Sequence, residues 1–442
     1  MATIKLKKGY NLNLAGGIAS DSVEALGAPG RCAIVPDDFY GITPRLEKKV
    51  GDSIAAGEAL YHDKTHEAIK VVSPVSGIIK AVNRGKRRKI ESIVIETEGD
   101  ARLKHDPKTA PKQLLLESGL WAMLRQRPYD IVPHPEVTPR DIFVTCFDSA
   151  PLAPPLKTVL GDDERYLAKG VETLSQMTDG QVYLGVSPGE ELDVPGAIVN
   201  VFQGPHPAGN AGVQIANVKP VNKGETVWTL DVVTLARIGK LFTTGEVDFS
   251  TTVAVVGSEV MSPRYVSATM GCPVADLAKG RIAENGKEKR YISGNPLSGS
   301  QVGLDGYLRA PYRQLTVIPE IAVKDEFMGW CSLSPRKFSV YRDFTGWLFG
   351  SRHRAVKMDA RLQGGERAIV MSGEYDRMLP MDIYGEYLIK SIIAFDIDKM
   401  EQLGIYEVAP EDFALAEYAD TSKLELQRIV REGLDNMRKE ME

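Results

Sequence analysis

The sequence predicts an α/β protein of several domains, and three observations support this prediction. With 442 residues the chain is long enough for roughly three domains, each with its own core. Short apolar runs separated by turn residues fill the first part of the chain, whereas strand and helix patterns alternate in the middle. The C-terminal end has helical periodicity. Together with an ordinary composition, 43% hydrophobic and 26% charged, these patterns indicate a multidomain α/β fold.

Residues 1–100 are predicted to form a small β domain. Tight-turn residues alternate there, in a quasi-repeated order, with apolar runs at residues 50–54, 57–60 and 73–79. This order resembles a biotinyl/lipoyl-like β barrel-sandwich. Lys64 lies near the hairpin where lipoyl domains carry a modified lysine, but its spacing to Ser73 is too long and no Met precedes it. We expect Lys64 to be unmodified.

The segment at residues 84–89 (RGKRRK) is a dense basic turn. It could contact anionic lipid head groups or an acidic partner, because clustered Lys and Arg are attracted to both. The alternative is a solvated hairpin tip.

Residues 101–250 are predicted to form a Rossmann-like α/β core. A short helix is expected at residues 114–125, and strands are expected at residues 141–147, 181–186 and 197–202. A helix opening at Asp162 and Asp163 carries apolar residues at spacings of three and four, namely Leu167, Val171, Leu174 and Met177. The strand, helix, strand order with buried strands predicts a parallel sheet.

Four stretches carry a resemblance to a known family: residues 5–17 (KLKKGYNLNLAGG), 201–246 (beginning VFQGPHPAGNAG), 293–299 (SGNPLSG) and 373–383 (GEYDRMLPMDI). In these the chain resembles the A subunit of the bacterial sodium-translocating NADH:quinone oxidoreductase. The resemblance implies a peripheral subunit on the cytoplasmic face of the bacterial inner membrane, docked on a six-subunit assembly. It also implies that the other members of that assembly carry flavins and iron–sulfur, use NADH and ubiquinone, and transport Na⁺.

The core also resembles the flavin-binding subunit of complex I and the C subunit of the Rnf complex. In those relatives a glycine-rich loop lets the backbone approach the flavin phosphate. Residues 116–128 hold one glycine here, and Trp121, Met123 and Leu124 place bulky side chains where that loop needs space. The relatives' C-terminal iron–sulfur domain has cysteine ligands, and no cysteine follows Cys331. We expect the chain itself to bind no cofactor.

The loop after residue 203 is the candidate site. Gly204 and Gly209 have P-loop spacing, but Asn210 and Ala211 stand where Lys and Ser or Thr are required. A quinone or subunit-interface site is predicted at Gly204, Pro205, His206, Pro207, Gly209 and Gly212. Alternatively, His206 is a surface or turn residue. The family tends to carry histidines just after this loop, where residues 213–216 read VQIA, so no role of those histidines transfers to this chain.

Residues 251–325 read as strands again, at residues 252–257 and 314–319, with turns at residues 293–296 and 304–306. The family resemblance implies a ubiquitin-like β-grasp (SLBB-type) domain here. Arg309, Tyr312 and Arg313 form either a docking edge or ordinary surface.

Residues 326–442 are predicted to comprise an aromatic and basic connector followed by a C-terminal helical bundle. Trp and Arg combine apolar bulk with a polar tip, so partner or membrane docking is predicted at Trp330, Arg342, Trp347, Phe349 and Arg352. The alternative is a long loop packed back onto the core. In the last helix, Ser422 and Glu425 suggest a capping box, and the apolar stripe comprises Leu426, Ile429, Val430, Leu434 and Met437.

Composition limits the function classes. A net charge of -5 argues against a nucleic-acid binder, and no apolar run approaches the roughly 20 residues of a membrane span. The N-terminus lacks the apolar core of a secretory signal. The four cysteines, Cys32, Cys146, Cys272 and Cys331, are far apart, so we expect no metal site and mostly buried, reduced thiols.

Two function classes remain from the sequence. In the first, the chain is a cofactor-free subunit that helps the sodium pump assemble and shapes its quinone site. In the second, it is a stand-alone flavin- or quinone-binding reductase. Six histidines in 442 residues leave few acid–base candidates, and no catalytic residue is assigned. This histidine poverty and the degraded glycine loop favour the first class.

Overall fold

Three β-sheet units and a group of C-terminal helices make up the protein. The computed structural model describes residues 2–321, 337–341, 344–345, 348, 355–369 and 373–441. Its first two strands, β1 (Ala2–Lys5) and β2 (Val23–Ala25), pair with strands of the second and third units. The range predicted for the barrel, residues 1–100, therefore includes two strands that belong to other sheets.

The barrel begins after these two strands and consists of two facing sheets. Its strands are β3 (Arg31–Ile34), β4 (Pro44–Leu46), β5 (Ser53–Ile54), β6 (Ala59–Asp63), β7 (Lys70–Val72), β8 (Gly77–Arg84) and β9 (Ile90–Thr97). One sheet has the order β3-β9-β8-β5 and the other β4-β6-β7. Tyr61, Ile79 and Ile95 are buried between them. Residues 84–89 join β8 and β9 as an exposed hairpin tip.

The α/β unit is built on a six-stranded sheet of order β1-β13-β12-β11-β14-β10. Its elements are α1 (Pro111–Glu117), β10 (Arg125–Arg127), β11 (Ile142–Thr145), α2 (Leu156–Leu160), α3 (Leu167–Ser175), β12 (Val182–Val186), β13 (Ala197–Gln203), α4 (Ala211–Val218), β14 (Val227–Asp231) and α5 (Val232–Thr244). All strand pairs are parallel except β10 with β14. The predicted parallel sheet is confirmed.

Two helix predictions in this unit need correction. The helix expected at residues 114–125 ends at Glu117, because Gly119 adopts a left-handed conformation with φ of 76°. A short 3₁₀ turn, Leu120–Met123, follows it and leads into β10. Asp162 lies in another 3₁₀ turn, Gly161–Tyr166, which precedes α3, so the early carboxylates do not open the α-helix itself.

The third unit is a mixed sheet of order β18-β17-β19-β15-β16-β2. Its elements are β15 (Ser250–Val256), β16 (Arg264–Thr269), α6 (Val274–Ala278), β17 (Lys289–Ser293), β18 (Ser300–Val302) and β19 (Gln314–Pro319). The central pair, β15 and β19, is parallel, and an antiparallel partner flanks each of them. Its core includes Val253, Leu277 and Val317.

Five helices form the described C-terminal part: α7 (Glu374–Met378), α8 (Gly385–Ile393), α9 (Ile397–Gln402), α10 (Ala414–Ala419) and α11 (Leu426–Met441). The predicted stripe of α11 is buried, with Leu434 and Met437 at 0% exposure. The predicted capping box is wrong, because the Ser422 hydroxyl donates to the Ala368 carbonyl. The carboxylate of Glu417 instead accepts from the Gln427 N–H. Among the described residues no helix is long and apolar enough to cross a bilayer.

Three of the four cysteines lie in these cores. Cys32, Cys146 and Cys272 are buried and unpaired, and Cys331 lies outside the described residues. Burial raises the pKa of all three described thiols, to about 12 for Cys272. They therefore stay protonated at neutral pH.

Candidate functional site

The candidate loop, residues 204–210, lies at the carboxyl end of β13 and leads into α4. The segment that follows β11 lies beside it, with Ser149 in direct contact. In open parallel sheets ligands bind outside the carboxyl ends of the strands. The predicted site therefore occupies the edge of the sheet where function is expected.

The three glycines of the predicted site have their side-chain space filled by this chain. A Cβ added to Gly204 would lie 2.7 Å from Cβ of Leu6, and one on Gly209 would lie 2.7 Å from the backbone nitrogen of Ser149. A Cβ on Gly212 would lie 2.3 Å from Oδ2 of Asp412. The glycines thus allow the N-terminal segment, the β11 loop and the C-terminal helices to meet.

The prolines shape the turn between these contacts. Pro205 accepts a hydrogen bond at its carbonyl from the N–H of Ala208, at 3.0 Å. The His206–Pro207 peptide is cis. The backbone of His206 is tied to the N-terminal segment, because its N–H donates to Oδ1 of Asn11 at 2.8 Å and its carbonyl accepts from the N–H of Tyr10 at 2.9 Å.

His206 is buried, with 5% of its surface exposed, so the alternative of a surface residue is wrong. Its Nδ1 lies 3.0 Å from the hydroxyl of Ser149, and that hydroxyl accepts the N–H of Gly209 at 2.8 Å. The serine hydrogen is therefore free to point at Nδ1. In the tautomer in which the serine donates to Nδ1, the ring proton of His206 lies on Nε2.

Nε2 of His206 is buried and has no hydrogen-bond partner within the described part of the chain. Burial lowers the pKa of His206 to about 4, against the opposing charge of Asp148. The ring is consequently neutral at physiological pH. A neutral histidine with an unused buried N–H offers one hydrogen-bond donor to a neutral acceptor such as a carbonyl oxygen.

A network of charges borders the loop on the side of the C-terminal helices. The guanidinium of Arg127 is 1% exposed and contacts Asp130 and, at 3.4 Å, Glu411. Nδ2 of Asn210 donates to the Glu411 carbonyl at 3.1 Å and to Oδ1 of Asp412 at 3.3 Å. Burial raises the pKa of Asp412, and the positive charge of Arg127 opposes that change. The network fastens the loop to the C-terminal helices.

The crevice between the ends of β11 and β14 is filled by the third unit. There the strand order reverses, which is where doubly wound sheets bind nucleotides. Nη1 of Arg313 lies 3.1 Å from Oδ1 of Asp231, and Nε2 of Gln314 donates to the Pro151 carbonyl at 3.1 Å. Towards the other end of β14, where Trp228 pairs with Ile142 at the start of β11, the buried rings of Trp121 and Trp228 pack edge to face at 5.1 Å.

The suggested docking edge at residues 309–313 makes contacts within the chain. Nε of Arg309 lies 2.6 Å from Oδ1 of Asp38 in the barrel, and Arg313 binds Asp231 as described. The hydroxyl of Tyr312 donates to the Ser298 carbonyl at 3.0 Å. The two arginines join the third unit to the first two.

The remaining site predictions concern docking. The docking candidates Trp330, Arg342, Trp347, Phe349 and Arg352 all lie outside the described residues. Sequence reasoning missed Ser149 and Asn11, which hold His206. Ser149 follows the predicted strand at residues 141–147, so its position at the carboxyl edge was a usable signal. In the described ranges no group of three or more His, Cys, Asp or Glu side chains could hold a metal ion.

Comparisons with known proteins agree along the whole chain. Family models match residues 4–98 ("NqrA N-terminal barrel-sandwich hybrid domain"), 107–247 ("NqrA second alpha/beta domain") and 252–303 ("NQRA C-terminal domain", of SLBB type). These matches confirm the predicted barrel-sandwich, the α/β domain and the SLBB-type domain.

Similar curated proteins cover the full length. The A subunit of the Na(+)-translocating NADH-quinone reductase of Shewanella amazonensis is 33% identical over 448 residues, and the protein of the same name from Vibrio anguillarum is 34% identical over 451 residues. Each alignment covers 99% of this chain and 100% of the relative. A solved NAD⁺-reducing NiFe hydrogenase structure aligns with a TM-score of 0.39 and 12% identity, over 76% of this chain and 62% of that chain.

Proposed function

The chain belongs to the family formed by the A subunit of the Na(+)-translocating NADH-quinone reductase, and from this we propose that it is the peripheral A subunit of such a pump. It sits on the cytoplasmic face of the bacterial inner membrane and binds the other members of a six-subunit assembly. NADH oxidation, the flavins, the iron–sulfur chemistry and Na⁺ transport belong to those partners. Full-length identity of about a third to proteins of this name supports the proposal.

The chain itself binds no cofactor in this proposal. The observation that supports this is the filled crevice at the strand-order reversal, where Arg313 and Gln314 contact Asp231 and the β11 loop. A flavin there would have to displace an ion pair and the edge of a strand.

The finer fold assignments are part of the same proposal. Numbered within the domain from β11, the parallel strands have the order third, second, first, fourth, which favours a Rossmann-like core. The C-terminal helices are assigned to a helical bundle because α8, α10 and α11 share one buried cluster. Domain ranges are proposed at residues 1–100, 101–250, 251–325 and 326–442, although β1 and β2 pair outside the first.

The loop at residues 204–210, with Gly212, is proposed as a quinone-site or interface element of the assembled pump. The observation that supports it is the buried, unpartnered Nε2 of His206 at the carboxyl edge of the sheet. His62 and His105 also have a buried Nε2 without a partner among the described residues, so what favours His206 is the position of its ring at the carboxyl edge of the sheet, where a quinone carbonyl or a partner's backbone carbonyl would satisfy the nitrogen. The glycines serve by letting the surrounding segments close around the histidine.

Purification through a tag on this chain tests the subunit role. Native membranes are extracted with detergent, and the eluate is assayed for flavin and for sodium-stimulated NADH:quinone reductase activity. We expect a multi-subunit flavoprotein complex, and we expect the isolated chain to be colourless. A lone chain that itself carries flavin or reduces quinone would support the stand-alone reductase instead.

Inhibition by quinone analogues tests the loop. His206→Ala removes the Nε2 donor and should shift the inhibitor concentration that halves the activity of the whole complex by about 10-fold, as expected for a lost hydrogen bond to a buried group. The matched control is His62→Ala, since His62 lies in the barrel and pairs with Glu47 at 2.9 Å. Identical inhibition curves for His206→Ala and the native complex would count against a quinone role.

A further inference from the structure

The tip of the β8–β9 hairpin has an unusual backbone. The carbonyl of Lys86 accepts from the N–H of Lys89 at 3.2 Å, and the N–H of Gly85 donates to the Lys89 carbonyl at 2.9 Å. The two central residues, Arg87 and Arg88, have φ of 54° and 60°. Two positive φ values at the centre of a two-residue hairpin loop define a type I′ turn.

Arginine is a poor choice for both positions of such a turn. Asn-Gly and related pairs are preferred there, because a Cβ is strained in the left-handed region. Arg87 and Arg88 are exposed, and neither guanidinium has an ion pair within the part of the chain that the structure describes. Among the described residues no ion pair of Arg87 or Arg88 offsets the strain. Residues with strained backbone conformations cluster at functional sites.

The charges at the tip are mostly uncompensated. Five of the six residues 84–89 are cationic, in a chain whose net charge is -5. Two carboxylates lie close by: Asp37, which pairs with Lys89 at 2.7 Å, and Glu91, whose side chain covers Gly85. Nη1 of Arg84 is turned back to the Arg88 carbonyl at 3.0 Å. The turn therefore presents Lys86, Arg87 and Arg88 together to solvent.

The chemistry of the tip fits a lipid surface better than a protein surface. Residues 83–89 contain no aromatic or apolar side chain, whereas protein interfaces depend on buried aromatic anchors around their arginines. A diffuse layer of anionic head groups needs no such anchor, because clustered Lys and Arg bind it through charge alone.

We infer that the β8–β9 tip is an electrostatic contact for anionic phospholipid head groups. It goes beyond the proposed subunit role, because it assigns this chain a membrane contact of its own. Each cationic side chain near an anionic bilayer strengthens binding by about fivefold, so the tip supplies a weak contact that adds to docking on the partners of the assembly. Binding falls as salt screens the charges.

Sedimentation of the full chain with vesicles tests the inference. We expect binding to vesicles of phosphatidylcholine mixed with phosphatidylglycerol, and at least about tenfold weaker binding to phosphatidylcholine alone. The double variant Arg87→Glu with Arg88→Glu should lose this preference. Its control is Lys108→Glu with Lys112→Glu, which makes the same charge change at exposed residues of the α/β unit and should bind as the native chain does.

A glycine variant separates lipid binding from folding. Arg87→Gly with Arg88→Gly relieves the left-handed strain, so the urea midpoint of unfolding should rise, while binding to the anionic vesicles should fall about 25-fold. Native binding by either double variant would overturn the inference, as would indifference of the native chain to lipid charge. If the chain ignores vesicles but the glutamate variant fails to join the complex, the tip contacts a protein and the lipid inference is wrong.

These outcomes are independent of the subunit proposal. Co-purification with the partners of the assembly tests that proposal without any vesicle, and it can succeed whether or not the isolated chain binds lipid. A failure of both experiments would remove both conclusions for different reasons.

Discussion

His206 is the titratable side chain of the loop at residues 204–210. The burial of the neutral ring depends on contacts from two distant parts of the chain, at Ser149 and Asn11, and the local sequence of a histidine between two prolines does not reveal it. The sequence left open whether His206 is a functional residue or a surface or turn residue, and in the structure it lies in a turn. The side chain of His206 is buried, which excludes the surface alternative. Its functional role remains a prediction.

The protonation of His206 gives the first prediction. Its folded-state pKa is about 4 and its ordinary value is 6.5, so between these pH values the unfolded chain binds more protons than the folded chain. Its contribution to stability is therefore present above about pH 6.5 and is lost as the pH falls to about 4. The loss should reach about 3 kcal/mol. Urea unfolding of the native chain and of His206→Gln across this range measures it.

The native chain must be compared with the His206→Gln variant, because protonation of another buried group changes the stability of the protein in the opposite direction. Burial raises the pKa of Asp38 to about 6, against the opposing charge of Arg309, so protonation of Asp38 favours the folded chain as the pH falls below 6. Subtracting the His206→Gln curve from the native curve cancels that contribution. Parallel curves for the two proteins would show that His206 does not titrate as its burial implies.

At the scale of elements, the close crossing of α3 and α5 is the clearest case of glycine acting through packing. A Cβ on Gly239 would lie 1.9 Å from the carbonyl oxygen of Tyr166, and one on Gly170 would lie 2.5 Å from that of Leu235. Both obstacles are backbone atoms, which cannot turn aside as a flexible side chain can. The helices approach this closely because glycine stands at both contact points.

Gly239→Ala should therefore destabilise the protein although alanine favours helices. We expect a loss of about 3 kcal/mol, because overpacking against backbone outweighs the gain of about 1 kcal/mol in helix propensity. Urea unfolding followed by circular dichroism measures the change. Thr244→Ala, at the exposed end of the same helix, is the control and should stay within about 0.5 kcal/mol of the native chain. An unchanged midpoint for Gly239→Ala would contradict the helix crossing described here.

Element predictions from the sequence succeeded where periodicity was long and failed where one residue redirected the chain. The strand at residues 314–319 and the buried stripe of α11 were recovered from apolar patterns alone. Helix α1 ends early because Gly119 adopts a left-handed backbone conformation. Apolar periodicity does not report that conformation, so the predicted helix was too long. The predicted capping box does not form, because the Ser422 hydroxyl donates instead to the carbonyl of Ala368, a residue far away in sequence.

At the scale of the whole molecule, Arg127 joins the α/β unit to the C-terminal helices. Its guanidinium is buried and faces Asp130 and Glu411, and Arg431 of α11 adds a second link to Asp130 at 3.7 Å. Burial disfavours a charge on Asp130, yet Arg127 and Arg431 hold the pKa of this carboxyl below its usual range. The C-terminal helices are thereby fixed against the loop that carries His206.

Removing Arg127 should loosen this junction. Arg127→Ala leaves a buried void, removes one of the two counter-charges of Asp130 and breaks the ion pair with Glu411, at a cost of about 3 kcal/mol. Limited trypsin digestion should then release the C-terminal helices sooner, and the urea midpoint should fall. Arg428→Ala is the matched control, because the pairs of Arg428 with Glu425 and Glu432 are exposed and screened by solvent, so the urea midpoint should stay close to that of the native chain. Equal digestion rates for the two variants would mean that Arg127 does not secure the junction.

The sequence by itself determined the class of fold, the family and the approximate bounds of five strands, at residues 141–147, 181–186, 197–202, 252–257 and 314–319. Apolar periodicity and turn residues are local signals, and the resemblance rests on short stretches that need no three-dimensional information. The absence of cysteines after Cys331 was equally readable from the chain.

Only the tertiary structure decided how the units meet and what that does to individual side chains. In that structure β1 and β2 pair with strands of two other sheets, and Arg313 and Gln314 close the crevice beside β14. His206 is buried, and its Nε2 has no partner among the described residues. The physical reason is that burial, pKa and hydrogen-bond satisfaction depend on atoms brought together from distant parts of the chain. A sequence pattern read along one segment carries no record of those neighbours.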